Sequence, residues 1–397
     1  MGGRGDVPRP PMSFEEVEMA HGPGRSDVPR AELVIGDSAR DAGVSFGAAH
    51  AAAIAAQVES YRPLYEVYGM PLESVAARAA EELVPPAEQV LPAFVEELRG
   101  RAEGSGVPFL ELFLLNCQEE VSTWVPLARW EELEARWPSG PAGRGAHGCT
   151  TFAIRARGAT VIGHTEDWTA VDLDNEVALQ YVTAADGTRI MALQSPGILA
   201  WQGQNSHGVS LTANTVLSSD ARPGVPNALV LRWALEAPTL EEVYRRLRLP
   251  ERAIGTYVLA ADASGRVWSI QTTATRASYR PVDEWVVQTN HYTHEELVGD
   301  QRPPEWPESF RRHDRASALV AAGLEDGRDP LELAASVVRD HGSGAGDAIC
   351  VHPQGGDAPR VYQEATISCA LYEPLARRMH VCVGPPCRSD LETFALM

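Results

Sequence analysis

At 397 residues with 44% hydrophobic content, the chain is long enough to bury a substantial core as one large domain or two ordinary ones. Its formal charge of −20 argues against nucleic acid and anionic membranes as partners, since both reward a concentrated positive surface. All 34 basic residues are arginine, which excludes Schiff-base lysines, pyridoxal-phosphate attachment and the P-loop lysine together.

In chain order, MGGRGDVPRPPMSFEEVE has proline, glycine and acids where a signal peptide needs an apolar core. Residues 1–30 are therefore expected to be a flexible leader on an unexported, cytoplasmic protein. Residues 31–137 read as helical, with apolar side chains at three- and four-residue spacing. Pro63, Pro71, Pro85, Pro86 and Pro108 are expected to divide them. The longest apolar run, AAHAAAIAAQV (48–58), falls far short of the ~20 residues of a membrane span. A Gly/Pro/Ala/Ser run then leads to Gly148, and from Cys149 the period changes to short β-rich runs: CTTFAIRA, ATVIGHTED, EVALQYVTA, TRIMALQS and GVSLTANTV. Helical stretches follow at 227–249, 309–323 and 330–340, with strands AIGTYVLAAD, VWSIQTT and EWVVQTN between the first two and ATISCALYE and RMHVCVGPP at the end. Grouped strands and grouped helices predict an α+β body of antiparallel sheets covered by helices, with the helical segment 31–148 wrapped around the segment 149–397.

Cys149 carries the chemistry. Most strand cysteines are small buried hydrophobes, but this one follows Gly148 at the exit of a loop, where the thiol can reach its own preceding peptide bond. Attack on the Gly148 carbonyl converts the amide to a thioester, and hydrolysis leaves a chain that begins at Cys149. The freed α-amine, with an ordinary pKa of about 7.7–8.0, can serve as the general base for the adjacent thiol.

The stretch GCTTFAIRARGATVIGHTEDW resembles the start of the catalytic chain in the acyl-coenzyme A:6-aminopenicillanic acid acyltransferase family, cysteine members of the N-terminal-nucleophile hydrolases. Gly148, Cys149, Thr150, Gly163, Asp167 and Trp168 carry the match, supported by GQNSHGVSLTAN (203–214) and QTNHYTH (288–294). The resemblance implies a four-layer αββα sandwich and self-cleavage at Gly148–Cys149, giving a heterodimer of fragments. It implies Cys149 as nucleophile, Asp167 holding the reactive terminus, Asn290 as oxyanion donor and Asn214 as a second donor, with Thr151, Trp168 and His291 contacting substrate. The expected reaction is transfer of an acyl group from a small N-acyl or N-aminoacyl compound to water; transfer from an acyl-coenzyme A or amide donor to an amine is the alternative. No cofactor or metal is expected, and self-association is left open. One departure stands out: Val351, in DAICVHP, occupies the place where the family's Ser-Ile-Cys-Arg segment carries arginine, so a charge near the nucleophile is missing.

Rival readings have less support. Cys149 and His291 have a papain-like separation, but the Cys-Gly-Ser-Cys-Trp context is absent. A non-catalytic scaffold would not need Cys149, Asp167 and Asn290 together. HYTHEE (291–296) has neither zinc-enzyme spacing, and its histidines are expected to be solvated loop residues. GSGAGD (342–347) lacks the lysine of a phosphate loop and reads as a turn, and YRRLRLPER (244–252) is the one dense basic cluster that could meet coenzyme A phosphates. The six cysteines show no disulfide framework and no C-x-x-C pair, so they are expected to be reduced.

Overall fold

The computed structural model describes residues 28–137, 148–302, 307–344, 346–353 and 356–396. Residues 1–27 of the expected leader, the run 138–147 ahead of Gly148, and Ala345 of GSGAGD lie outside the described residues.

The first element among the described residues is a strand, β1 (Arg30–Val34), where the sequence reads as leader and helix. Its register is parallel to a later strand, Ala31 opposite Gln180, and Val28 just before it is buried. Five residues with alternating burial are too short to register as a period, and only the sheet partner reveals them. Eight helices follow: α1 (Ala39–Ala49), α2 (Ala51–Val67), α3 (Leu72–Glu82), α4 (Val84–Val90), α5 (Pro92–Ser105), α6 (Phe109–Leu115), α7 (Gln118–Trp124) and α8 (Leu127–Arg136). Pro71 and Pro108 stand at helix starts and Pro85 in a first turn, as expected. Pro63 instead lies inside α2. The buried face Ile54, Val58, Tyr61 and Tyr65 runs past it on both sides, and that packing outweighs the lost backbone hydrogen bond.

The remainder comprises β2 (Thr150–Ala156), β3 (Ala159–Thr169), β4 (Ala178–Thr183), β5 (Arg189–Gln194), β6 (Gly203–Asn205), β7 (Ser210–Asn214), α9 (Asn227–Leu235), α10 (Leu240–Leu247), β8 (Thr256–Ala261), β9 (Val267–Thr272), β10 (Ala277–Pro281), β11 (Trp285–Gln288), α11 (Pro307–Glu325), α12 (Pro330–Val337), β12 (Glu364–Glu373), β13 (Arg378–Val383) and β14 (Glu392–Ala395). One sheet has the order β1-β4-β5-β6-β7-β8-β9-β10, the other β11-β2-β3-β12-β13-β14. Apart from β1–β4, the pairs are antiparallel.

Three apolar clusters show the layering. Leu179, Met191 and Leu259 of the first sheet meet Ala153, Ile162, Ala370 and Met379 of the second. The outer face of the first sheet, including Ile190, Leu211 and Val258, packs on the helices before residue 137 and on α9 and α10. Phe152, Ile154 and Leu371 of the second sheet pack on Ala316 and Val320 of α11 and Leu333 and Val337 of α12. The result is the four-layer αββα sandwich.

The front helices interlock through backbone contact. A Cβ on Gly43 or Gly47 of α1 would stand 2.3 Å from the carbonyl oxygen of Glu97 or Arg101 in α5, and one on Gly100 or Gly104 of α5 would stand 2.1 Å from that of Arg40 or Val44. No side chain on either helix can yield to relieve this. Buried Arg101 continues the joint, donating to Pro196 O at 2.7 Å, Ile198 O at 3.0 Å and Glu97 Oε1 at 2.6 Å. Gly47→Val is expected to force α1 and α5 apart and cost about 3 kcal/mol, read as a lower urea midpoint with an unchanged m-value; an unaltered midpoint would contradict this packing.

Candidate active site

The β2–β3 hairpin turns at Arg157 and Gly158, both at positive φ (54° and 78°), as a two-residue hairpin loop requires. Its register sets Thr150 opposite Thr165 and Thr151 opposite His164, which brings Cys149, just ahead of β2, to Glu166 and Asp167. Gly163 is fixed by packing: a Cβ there would lie 2.2 Å from Cζ of Phe152, its cross-strand partner. Alternation along β3 sends His164, Glu166 and Trp168 to one face of the sheet and Thr165 and Asp167 to the other.

On the face toward the first sheet, Cys149 Sγ lies 4.0 Å from Glu166 Oε1. Glu166 Oε2 meets His164 Nε2 at 3.0 Å and accepts from Gln202 Nε2. His164 Nδ1 meets Thr151 Oγ1 at 2.7 Å, and that hydroxyl donates to Asn214 Oδ1 at 2.6 Å. Asn214 Nδ2 donates back to Cys149 O at 3.0 Å. The circuit closes on the backbone of the residue whose sulfur it began from.

On the opposite face stands Arg312 of α11, 6% exposed. It donates from Nη1 to Cys149 O at 2.9 Å and Thr150 Oγ1 at 3.1 Å, and from Nη2 to Asn290 Oδ1 at 2.8 Å. Glu364 accepts the Gly148 backbone N–H, while Asp167 Oδ1 accepts from Thr366 Oγ1 at 2.5 Å. Asp167 Oδ2 is buried with no partner. Burial and then the Glu364 charge push the Asp167 carboxyl well above its ordinary range against the pull of Arg312. Burial raises Glu364 to about 7, again opposed by Arg312. Burial, followed by the charges of Glu166 and Asp167, pushes the Cys149 thiol up as well. Gly148 is not at positive φ. Space requires it: a Cβ would stand 2.4 Å from Glu364 Oε1 and 3.1 Å from Arg312 Nη2.

The missing charge is therefore supplied by a different element. Val351 lies in the connection before β12, its N–H donating to Thr366 Oγ1 at 2.8 Å, and the cation beside Cys149 is Arg312. Sequence reading passed over Arg312 because SFRRHDR offers three arginines on one helix and no spacing that marks the inward one. Glu166, His164 and Glu364 were missed for the same reason, being ordinary strand residues until the sheet is assembled.

The other anticipated residues lie as follows. Asn290 Nδ2 donates to Thr215 O at 3.0 Å. Trp168 lines a cavity beside Cys149, its indole N–H donating to Tyr61 Oη, whereas Thr151 and His291 are outside that lining. His291 stacks on Phe310, centroids 4.0 Å apart, with Nδ1 on Ser309 Oγ at 2.8 Å. Expected to be solvated, it and His294 are buried instead. His294 is held between Ser269 Oγ at 3.0 Å and Ser278 Oγ at 3.1 Å. Burial lowers the two to about 3 and about 4, so both are neutral near pH 7. The cavity takes Gln57, Glu119 and Glu120 from the front helices, Glu166 and Asp172 from the β-rich part, and Ile367, the extra residue where β12 shifts register opposite Glu166 and Asp167. Burial raises Glu119, Glu120 (to about 8) and Asp172 (to about 6).

Four layers around such a centre define an enzyme of the N-terminal-nucleophile class, acting on amide bonds. More particularly, the chain belongs to the acyl-coenzyme A:6-aminopenicillanic acid acyl-transferase family, which it matches over residues 154–388. It is 24% identical over 329 residues to the 40 kDa form of acyl-coenzyme A:6-aminopenicillanic-acid-acyltransferase of Emericella nidulans, covering 80% of this chain and 83% of that one. It is 26% identical over 223 residues to a β-alanyl-dopamine/carcinine hydrolase of Drosophila melanogaster, covering 52% and 50%. A mutant conjugated bile acid hydrolase from Clostridium perfringens is similar at 11% identity and a TM-score of 0.40, over 63% of this chain and 97% of that one. No helix among the described residues is long and apolar enough to cross a membrane.

Arg312→Met leaves Asp167 and Glu364 facing each other without a cation. It is expected to destabilise the protein by about 3 kcal/mol or more, with Arg312→Lys intermediate, measured by urea unfolding at pH 7. Equal midpoints for all three proteins would show that the guanidinium does not balance these carboxyls.

Proposed function

We propose that the protein cuts its own chain between Gly148 and Cys149 and then hydrolyses small N-aminoacyl amides through an acyl-thioester on Cys149. In maturation, the sulfur bonds to the Gly148 carbonyl carbon, the carbon–nitrogen bond breaks, and the thiol proton ends on the released α-amine. Water then hydrolyses the thioester and frees Gly148 as a carboxylate. Glu166 is the carboxylate nearest the sulfur and stands ready to relay the proton. The observation that carries this reading is the buried, unpartnered Oδ2 of Asp167 beside Cys149. A buried acceptor left bare is costly, and the ammonium group created by the cut supplies its donor.

In turnover the α-amine takes the thiol proton, the thiolate attacks the substrate carbonyl, and the same proton passes to the leaving amine. Asn290, its side-chain oxygen fixed by Arg312, is the assigned oxyanion donor, whereas Asn214 Nδ2 already donates to Cys149 O, Gln288 O and Thr289 O and steadies the backbone of the nucleophile. Trp168 is the assigned substrate contact; Thr151 and His291, away from the cavity, act by holding His164 and Ser309.

The cavity supports the substrate class. Glu119, Glu120, Glu166 and Asp172 line it, with Trp168 and Trp201 and, among the described residues, no cationic side chain. Such a wall attracts an ammonium group and repels the phosphates of coenzyme A. The arginines of 244–252 are engaged elsewhere: Arg245 and Arg246 pair with Glu242, Arg248 lies over the Tyr244 ring, and Arg252 donates to Leu249 O and Thr273 O. A β-alanyl amide, the acyl group named for the Drosophila relative, matches this chemistry.

Intact mass spectrometry is expected to find two chains, residues 1–148 and 149–397, and a single uncut chain for Cys149→Ala. Fully active wild-type protein with the bond still closed would falsify the scheme. Among substrates, a β-alanyl amide should exceed its propionyl counterpart in kcat/KM by on the order of tenfold or more. With Glu120 at about 8, binding a cation favours the carboxylate and releases a proton, so KM for the β-alanyl amide should fall as pH rises from 6 to 8 while that for the neutral amide stays flat. Parallel pH profiles for the two substrates would remove the acidic wall from the account.

A further inference from the structure

The connection that carries Val351 also carries a cluster unused by the chemistry above. His341, Cys350 and His352 lie between α12 and β12, and Cys387 comes from the turn between β13 and β14. One ligating atom from each lies within 4.8 Å of all the others. Three of these contacts meet on a single nitrogen: His352 Nε2 is 3.2 Å from His341 Nε2, 3.2 Å from Cys387 Sγ and 3.7 Å from Cys350 Sγ. A ring nitrogen has one proton or one lone pair, so it can satisfy one of the three by hydrogen bonding. A common centre satisfies all of them. Tetrahedral zinc, with nitrogen at about 2.0 Å and sulfur at about 2.3 Å, separates its ligand atoms by about 3.3–3.8 Å, close to the spacing found here.

We propose that His341, Cys350, His352 and Cys387 bind one zinc ion. Two thiolates and two imidazoles are the donor set that favours zinc over calcium or magnesium, and four protein ligands leave no open position, so the ion is structural. It staples the 341–352 connection to the β13–β14 turn. Val351, between two of the ligands, holds β12 by donating from its N–H to Thr366 Oγ1 at 2.8 Å and accepting from the Thr366 N–H at 3.0 Å. The Thr366 hydroxyl donates onward to Asp167 at 2.5 Å. The position where the family resemblance anticipates arginine is thus part of a metal-braced strap behind Asp167. The ligands are spaced 341, 350, 352 and 387, a pattern that no short cysteine motif would flag.

The test uses the full-length protein and needs no substrate. Elemental analysis after desalting is expected to give about one zinc per chain. Cobalt(II) added to chelator-stripped protein should produce the visible bands of a tetrahedral site together with a thiolate charge-transfer band. The double variant His341→Gln/Cys387→Ser, changed at two exposed positions, should keep its near-ultraviolet circular dichroism and lose both the zinc and the cobalt bands. Chelation should lower the thermal midpoint of the wild type and leave that of the variant unchanged. Folded wild-type protein that contains no zinc and takes up no cobalt overturns the proposal, as does a Cys350–Cys387 disulfide in protein purified without reductant.

Discussion

One buried guanidinium organises the site. Arg312 reaches from α11 through the second sheet's outer layer to hold Cys149 O, the Thr150 hydroxyl and the Asn290 side chain, while its charge opposes that of Asp167 and Glu364. Two carboxyls enclosed together would both protonate, or the fold would open, unless a fixed cation shared the space. Arginine suits this because its planar fork serves several acceptors at once and does not lose its proton on burial. The absence of side-chain bulk at Gly148 follows from the same crowding: the main chain threads between Arg312 and Glu364 where a methyl group would collide.

Around that cation, β3 divides two kinds of work by strand alternation. Glu166 and His164 face the first sheet and link through Thr151 to Asn214, so the oxygen of Cys149 is held from one side by an amide and from the other by a guanidinium. Asp167 faces the opposite way, tied to Thr366 on the register-shifted stretch of β12. The register shift brings Ile367 to the cavity wall, so the irregularity is part of how the strand both supports the aspartate and shapes the pocket.

The front helices do more than cover a sheet. Gln57, Glu119 and Glu120 reach the cavity from before residue 148, and Asn227 binds both glutamates from α9. A cut at Gly148–Cys149 would therefore leave a fragment whose acids still form the pocket wall, held by an extensive apolar face and by the interlocked glycines of α1 and α5. Cleavage and association are compatible because the covalent link is a small part of what joins the two segments.

The sequence by itself marked Cys149, the hairpin and an α+β body of antiparallel sheets through local signals, periodicity and a glycine before a cysteine, while the αββα arrangement and the places of Asp167 and Asn290 followed from the resemblance to the family. It did not reveal β1, whose five residues become a strand only beside β4, nor the continuity of α2 through Pro63, where buried contacts overrule a local rule. Tertiary structure alone decided that the missing charge comes from Arg312, that His291 and His294 are buried, and that four dispersed histidines and cysteines converge. Charge balance, burial and ligand geometry depend on which distant residues share a few ångströms of space, and one-dimensional spacing does not record that distance.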